Sequence, residues 1–326
     1  MPAVTLRDIA ERANVSVNTV SRALNDKPEI SPRTKERIVA IANELGYTPN
    51  LVARGLVTQR TKTLGIVTSD NSNPFYAAVI RGVFRTAQRS GWTTLLANSH
   101  DSAEVERRAV KDLIKRRVDG LMLFPLDLEA LGEYAKGSCP VMAIGCRASH
   151  PGVSFVSTDD RGGARSAVRH LIRSGRRRIV YAGPSLKLPP SSDRYAGYVE
   201  ALEEAGLEPA PHWEIAVTGE AGYRLAERLR KSPGVDAVFC FSDVIAIGLL
   251  RGLADAGLKV PADVAVVGYD DLEFSRYVIP SLTTVRIPME RLGEVAARTL
   301  IARIEGADAP PADPIPTELV VRESAP

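Results

Sequence analysis

The sequence predicts a small all-α domain at the N-terminus followed by an α/β body built on parallel sheets. Three observations carry this. Residues 5–46 contain three short stretches with apolar residues at helical spacing, each opened by a capping residue. From Leu64 onward, short apolar runs alternate with helical stretches, the pattern of strand–helix–strand units. The charge is also unevenly placed: residues 1–60 hold nine basic and six acidic groups, an excess equal to the net charge of +3 of all 326 residues. The rest of the chain is electrically balanced, which marks the first sixty residues as the candidate for a polyanionic partner.

Composition sets outer limits. With 44% apolar and 25% charged residues, the chain is neither a disordered tail nor a collagen-like repeat. At roughly 150 residues per domain, its length suits two domains. No apolar run approaches the ~18 residues of a membrane-spanning helix. Met1–Leu6 lacks a signal-peptide pattern, so a cytoplasmic protein with no membrane partner is expected. Cys139, Cys146 and Cys240 are too few and too scattered for a disulfide framework, which fits a reducing compartment.

The first helix opens at Thr5, a capping residue, and places Leu6, Ile9, Ala10 and Ala13 on one face. Asn14 can end it in a left-handed conformation. Ser16 caps the second helix, Val17–Asn25, with Val20 and Leu24 facing inward, and Asp26-Lys27-Pro28 stops it. Ser31 caps the third, with Pro32 at its first position. Ile38, Ile41, Ala42 and Leu45 form its stripe, and Gly46 ends it. Two short helices joined by a tight turn and braced by a third make a helix-turn-helix.

The outward face of the second helix carries Ser16, Val17, Asn18, Thr19, Ser21, Arg22 and Asn25. An ordinary exposed face, the plainer alternative, would favour Glu and Lys. Arg22 can bond bidentately to guanine, and Asn18 can pair with adenine or accept from cytosine. Val17 and Asn18 would meet base edges near the helix start. The short hydroxyl and amide side chains allow close approach and phosphate bonding.

Thr5-Leu-Arg-Asp-Ile-Ala10, Val15-Ser-Val-Asn-Thr-Val-Ser-Arg-Ala-Leu-Asn25, Leu45-Gly-Tyr-Thr-Pro-Asn50 and Val52-Ala-Arg-Gly-Leu56 together resemble the lactose-repressor (LacI/GalR) family of bacterial regulators. The resemblance continues to the C-terminus. It implies a DNA-binding domain at 1–48, a hinge helix and linker at 49–60, and an effector-binding and dimerisation domain at 61–326. The hinge helix would form on operator DNA, with Leu56 wedged into the minor groove. Thr5, Leu6, Ser31, Thr34, Tyr47, Asn50 and Ala53 complete the expected DNA-contacting set.

In the body, the apolar runs are 64–68, 93–97, 120–124, 141–144, 179–182, 237–241 and 264–267. A helix is expected over Asp101–Val118, with Asp101 and Glu104 at capping-box spacing. Ligands of parallel α/β sheets bind beyond the carboxyl ends of the strands. The resemblance implies a periplasmic-binding-protein-like body of two parallel-sheet subdomains with a cleft between them. Subdomain one would cover about 61–158 and 288–318, and subdomain two about 159–287 and 319–326.

Effector residues follow from the resemblance where local motifs match. Asp193-Arg194-Tyr195-Ala196-Gly197 matches a loop whose arginine binds effector. Asp270, in Val267-Gly-Tyr-Asp-Asp271, matches a hydroxyl acceptor, and Ser242 stands where an asparagine is frequent. Asn73 and Phe75 belong to a cleft loop, and Phe124 adds a second ring. Asp243 and Asp270 could instead cap the helices that follow them.

An enzyme is disfavoured. The nucleotide-binding glycine motifs, the G-x-S-x-G elbow and H-E-x-x-H are all missing. Cys139, Cys146 and His150 lack paired zinc-ligand spacing. No cofactor is expected. The sequence therefore reads as a repressor that binds double-stranded operator DNA as a homodimer. Its expected effector is a sugar or sugar derivative, with a nucleobase or small organic acid acting as corepressor as the alternative. A chain ending at Pro326 without a heptad tail favours a dimer over a tail-linked tetramer.

Overall fold

The computed structural model describes residues 4–47, 60–137, 139–147, 150–307 and 313–326. The chain divides into one unit up to Thr61 and another from Lys62. In the first, helices α1 (Leu6–Ala13), α2 (Val17–Leu24) and α3 (Pro32–Glu44) enclose Ile9, Ala10, Ala13, Val20, Ala23, Ile38 and Ala42. The Thr5 hydroxyl accepts from the Asp8 N–H while the Asp8 carboxylate accepts from the Thr5 N–H, closing a capping box. Ser16 and Ser31 likewise cap α2 and α3. Asn14 ends α1 at φ 49°. At the end of α2 the fully buried residue is Ala23, while Leu24 is only half-buried.

In the second unit, β1 (Thr63–Thr68), β2 (Thr93–Asn98), β3 (Gly120–Leu123), β4 (Val141–Ile144) and β5 (Val153–Val156) form a parallel sheet ordered β2-β1-β3-β4-β5. The other sheet contains β6 (Ile179–Gly183), β7 (Trp213–Glu214), β8 (Ala237–Cys240), β9 (Ala265–Asp270), β10 (Thr283–Arg286) and β11 (Glu318–Val320). Its order is β11-β10-β9-β8-β6-β7, parallel throughout except between β10 and β11.

Helices cover both faces of each sheet. Leu64, Ile66, Met122 and Met142 pack against α4 (Pro74–Arg89) and α11 (Met289–Ile304). The opposite face packs Val67, Leu121, Leu123 and Val141 against α5 (Ala103–Lys115) and α6 (Ala130–Tyr134). In the second sheet, Ile179, Tyr181, Phe239 and Val267 meet α7 (Asp160–Arg173) and α8 (Pro189–Glu204). Val180, Val238 and Val266 meet α9 (Gly219–Arg230) and α10 (Asp243–Asp255). Neighbouring strand residues thus face opposite cores, the two-residue period of a sheet buried on both sides.

The chain passes from the first sheet to the second between β5 and α7, and returns between β10 and α11. Near the first passage, Thr158 bridges Ile315 and the Asp159 N–H donates to the Ile315 carbonyl at 2.9 Å. The helix expected over 101–118 is shorter. Ser102 caps it, not Asp101, because residues 100 and 101 are still turning in the left-handed region. Strands β5, β7 and β10 have no long apolar run, and each is held mainly by its neighbours.

Candidate functional site

A cavity of about 490 Å³ opens at the carboxyl ends of strands from both sheets, the position where α/β sheets present ligand sites. Residues following β1, β3 and β4 line one side, and residues following β6, β8 and β9 line the other. Asn73, Phe75, Phe124, Arg194, Ser242 and Asp270 all line it. Strands register these residues although up to 197 positions separate them in the sequence.

Arg194 occupies a helix, not the loop expected from its motif. It lies in α8, on the face turned toward the sheet. Its Nε donates to Asp160 Oδ1 at 2.8 Å, and its Nη1 donates to the Phe241 carbonyl and lies 3.9 Å from Asp270 Oδ1. The guanidinium stacks over Tyr269 at 3.7 Å and Phe241 at 4.3 Å. Burial opposes this charge, but Asp160, Tyr269 and Asp270 outweigh it and hold the group more firmly protonated than usual. Burial pushes the Asp270 carboxyl well above its ordinary range despite Arg194, with Asp243 and Asp160 adding to the push.

Neither aspartate caps a helix. Asp270 ends β9 at φ 118°. Ser242 caps α10 by accepting from the Ile245 N–H at 3.4 Å, so its hydroxyl is both cap and cavity wall. Asp243 is a buried junction. It accepts from the Leu272 N–H at 2.8 Å, Ser275 Oγ at 2.6 Å and Thr284 Oγ1 at 2.5 Å, tying α10 to the segments after β9 and in β10. Burial raises its carboxyl to about 6 against these bonds.

Asn73 caps α4 by accepting from the Phe75 N–H at 3.0 Å. Phe75, Tyr76 and Phe124 meet edge to face, with centroids 4.8–6.3 Å apart. Asp160 and Asp101 line the cavity without having been expected there, while Asp70 and Tyr76 belong to the segment after β1 where a ligand was expected but were not assigned a contact. The consecutive acids Asp159-Asp160 beyond a short apolar run were the available signal, since such strand ends are where ligands bind. Glu106 of α5 was also missed: it is buried and accepts from the N–H of Leu126, a cavity residue, at 3.0 Å.

On the helical unit, Val17 is 44% exposed, and Asn18, Arg22 and Asn25 are exposed beside half-buried Thr19 and Ser21. Ser16 Oγ and Thr19 Oγ1 lie 2.8 Å apart, as do Ser31 Oγ and Thr34 Oγ1. Asn25 Nδ2 donates to the Ser21 carbonyl at 2.7 Å. Arg22 lies 4.0 Å from Glu29, with both side chains about half exposed. Thr5 is engaged in the capping box. Leu6 and Tyr47 are half-buried against the three-helix core, which leaves only part of each on the surface. Asn50, Ala53 and Leu56, with the hinge helix expected around them, lie outside the described residues.

Among the described residues, no helix is long and apolar enough to cross a membrane. Residues 5–50 match the family described as bacterial regulatory proteins, lacI family, and residues 168–325 match the periplasmic binding protein-like domain. A ribose operon repressor of Halalkalibacterium halodurans is 34% identical, over 98% of this chain and 96% of its own length. The HTH-type transcriptional regulator CelR of Thermobifida fusca is 37% identical, over 98% of each chain. The lac repressor dimer bound to operator and the anti-inducer ONPF matches with a TM-score of 0.90 at 28% identity, over 99% of each chain. A complex of CelR with cellobiose matches at 0.75 and 34% identity, over 98% of this chain and 99% of that one. The chain belongs to the lacI family of bacterial regulatory proteins, and is a DNA-binding transcriptional regulator, not an enzyme.

Proposed function

We propose that the protein is a cytoplasmic repressor that binds a pseudo-palindromic operator as a homodimer and is controlled by a small carbohydrate in the cleft. One observation carries the carbohydrate reading. The cavity sets a stacked guanidinium and buried carboxylates beside the rings of Phe75 and Phe124. Carboxylates and guanidinium suit the hydroxyls of a sugar, and ring faces suit its C–H surfaces. The CelR structure holds cellobiose, and a relative from Enterococcus faecium holds ribose, which supports the same ligand class here.

On the DNA side, Val17, Asn18 and Arg22 read base edges from α2, while Ser16, Thr19, Ser21, Asn25, Ser31 and Thr34 bond phosphates. Residues 49–60 form the hinge. Effector binding changes how the two subdomains meet, and this alters operator affinity through a coupling free energy of about 1–3 kcal/mol. A thermal-shift screen of sugars tests the reading. A ligand at 100 times its dissociation constant stabilises by ~2.7 kcal/mol, so the cognate sugar raises the melting temperature of the wild type and leaves that of Arg194→Ala unchanged. An equal shift in both would contradict the cleft assignment.

A further inference from the structure

We propose that the cleft takes uncharged polyhydroxylated effectors and rejects their carboxylate and phosphate derivatives, with Asp160 as the residue that sets this selection. The inference rests on the reading of the cleft as the effector site. A buried arginine is by itself an invitation to anions, since its planar fork matches carboxylate and phosphate. Here that invitation is already answered. Asp160 Oδ1 lies 2.8 Å from Arg194 Nε, and the two side chains are only 4% and 5% exposed. Thr158 Oγ1 donates to the other Asp160 oxygen at 2.8 Å, which fixes the carboxylate in place.

With Nε on Asp160 and Nη1 on the Phe241 carbonyl, Arg194 keeps its Nη2 edge for a ligand acceptor. A hydroxyl suits that edge, and the same molecule's other hydroxyls can donate to Asp270. An anion would instead meet an arginine whose single charge Asp160 already balances at 2.8 Å. The wider lining points the same way. Among the described cavity residues, Asp70, Asp101, Asp160 and Asp270 line the cleft with Arg194 as the one guanidinium, and only Asp160 and Asp270 lie within 4 Å of it. Asp70, after β1, and Asp101, after β2, stand at neighbouring strand ends, where the Asp101 N–H donates to the Ser69 carbonyl at 3.2 Å. Burial, and then Asp70, push the Asp101 carboxyl up, as expected of two acids sharing one site.

Isothermal titration of the full chain tests this with matched probes: ribose, glucose and cellobiose against ribonate, gluconate, cellobionate, ribose 5-phosphate and glucose 6-phosphate. In the wild type, at least one neutral sugar should bind, with its acid and phosphate derivatives at least tenfold weaker, a gap of about 1.4 kcal/mol. In Asp160→Asn, which removes the charge and keeps the shape, that gap should shrink tenfold or reverse. A derivative binding the wild type as tightly as its neutral parent overturns the charge selection while leaving the cleft reading intact. An unchanged gap in Asp160→Asn overturns the role of Asp160. If no probe of either class binds, the cleft reading fails and this inference with it. Should Asp160→Asn not fold, the wild-type comparison still decides the selection.

Discussion

Arg194 Nε and Asp160 Oδ1 lie 2.8 Å apart with both side chains almost fully buried at the cleft wall, and they join α8 to the first turn of α7. The pair serves two purposes. It holds one wall of the cleft, and it keeps a cation inside the protein without leaving its charge uncompensated.

Replacing Arg194 by Ala would strand the Asp160 carboxylate. Removing one partner of a buried pair typically costs about 3–5 kcal/mol, so urea unfolding should show a loss of that order. The folded fraction should still bind operator and should no longer respond to effector. A normal effector response in gel-shift assays would contradict the placement of Arg194 in the ligand site.

Glu106 should give the stability a distinctive pH dependence. Burial raises its carboxyl to about 7, with the Leu126 N–H only partly opposing the shift. Its Oε1 has no hydrogen-bond partner among the described residues. A raised carboxyl means that the folded state holds a proton which the unfolded state releases near pH 4.5. Stability from this group therefore falls as pH rises from about 4.5 through 7, by on the order of 3 kcal/mol. Urea midpoints taken at several pH values should show this slope, and Glu106→Gln should flatten it. An identical slope in the variant would assign it to other groups.

Helices α4 and α11 approach through paired glycines. A Cβ at Gly293 would lie 2.0 Å from the Val79 carbonyl oxygen, and one at Gly82 would lie 2.0 Å from that of Glu290. Backbone cannot yield as a side chain does. Gly293→Ala should push the helices apart and lower stability by about 1–3 kcal/mol, read as a fall in the urea midpoint. An unchanged midpoint would mean that the crossing is looser than this geometry.

The caps of α1, α2 and α3 were legible because each rests on a local rule: a hydroxyl, a proline or a left-handed residue at one position. The long central strands were legible because burial on both faces writes a continuous apolar run, as in β1 and β9. Strand β10, Thr-Thr-Val-Arg, was not, because its place depends on β9 and β11 on either side. Arg194 lines the cleft its motif pointed to, but from a helix and not from the expected loop. Pro189 and Pro190 look like a loop, yet they sit in the first turn of α8, where a missing N–H has no consequence. Asp160 escaped because its significance is its contact with Arg194, 34 residues away.

Arg22 is exposed on α2, with Glu29 4.0 Å away as its ion-pair partner. Arg22→Ala should reduce affinity for the selected operator by about 1–3 kcal/mol and relax preference at one base position, while salt-sensitive nonspecific binding persists. Binding selection from random-sequence duplexes reads this directly. Enrichment of the same site by wild type and variant would remove Arg22 from base recognition.

The cleft and the DNA-binding unit should be thermodynamically linked. Fluorescence anisotropy of operator DNA, titrated with the protein at zero and saturating cognate sugar, measures that link. The expected result is a 5–150-fold change in operator affinity, matched by an equal change in sugar affinity when operator is bound, and abolished in Arg194→Ala. An operator affinity that stays the same while the sugar fills the cleft would contradict it.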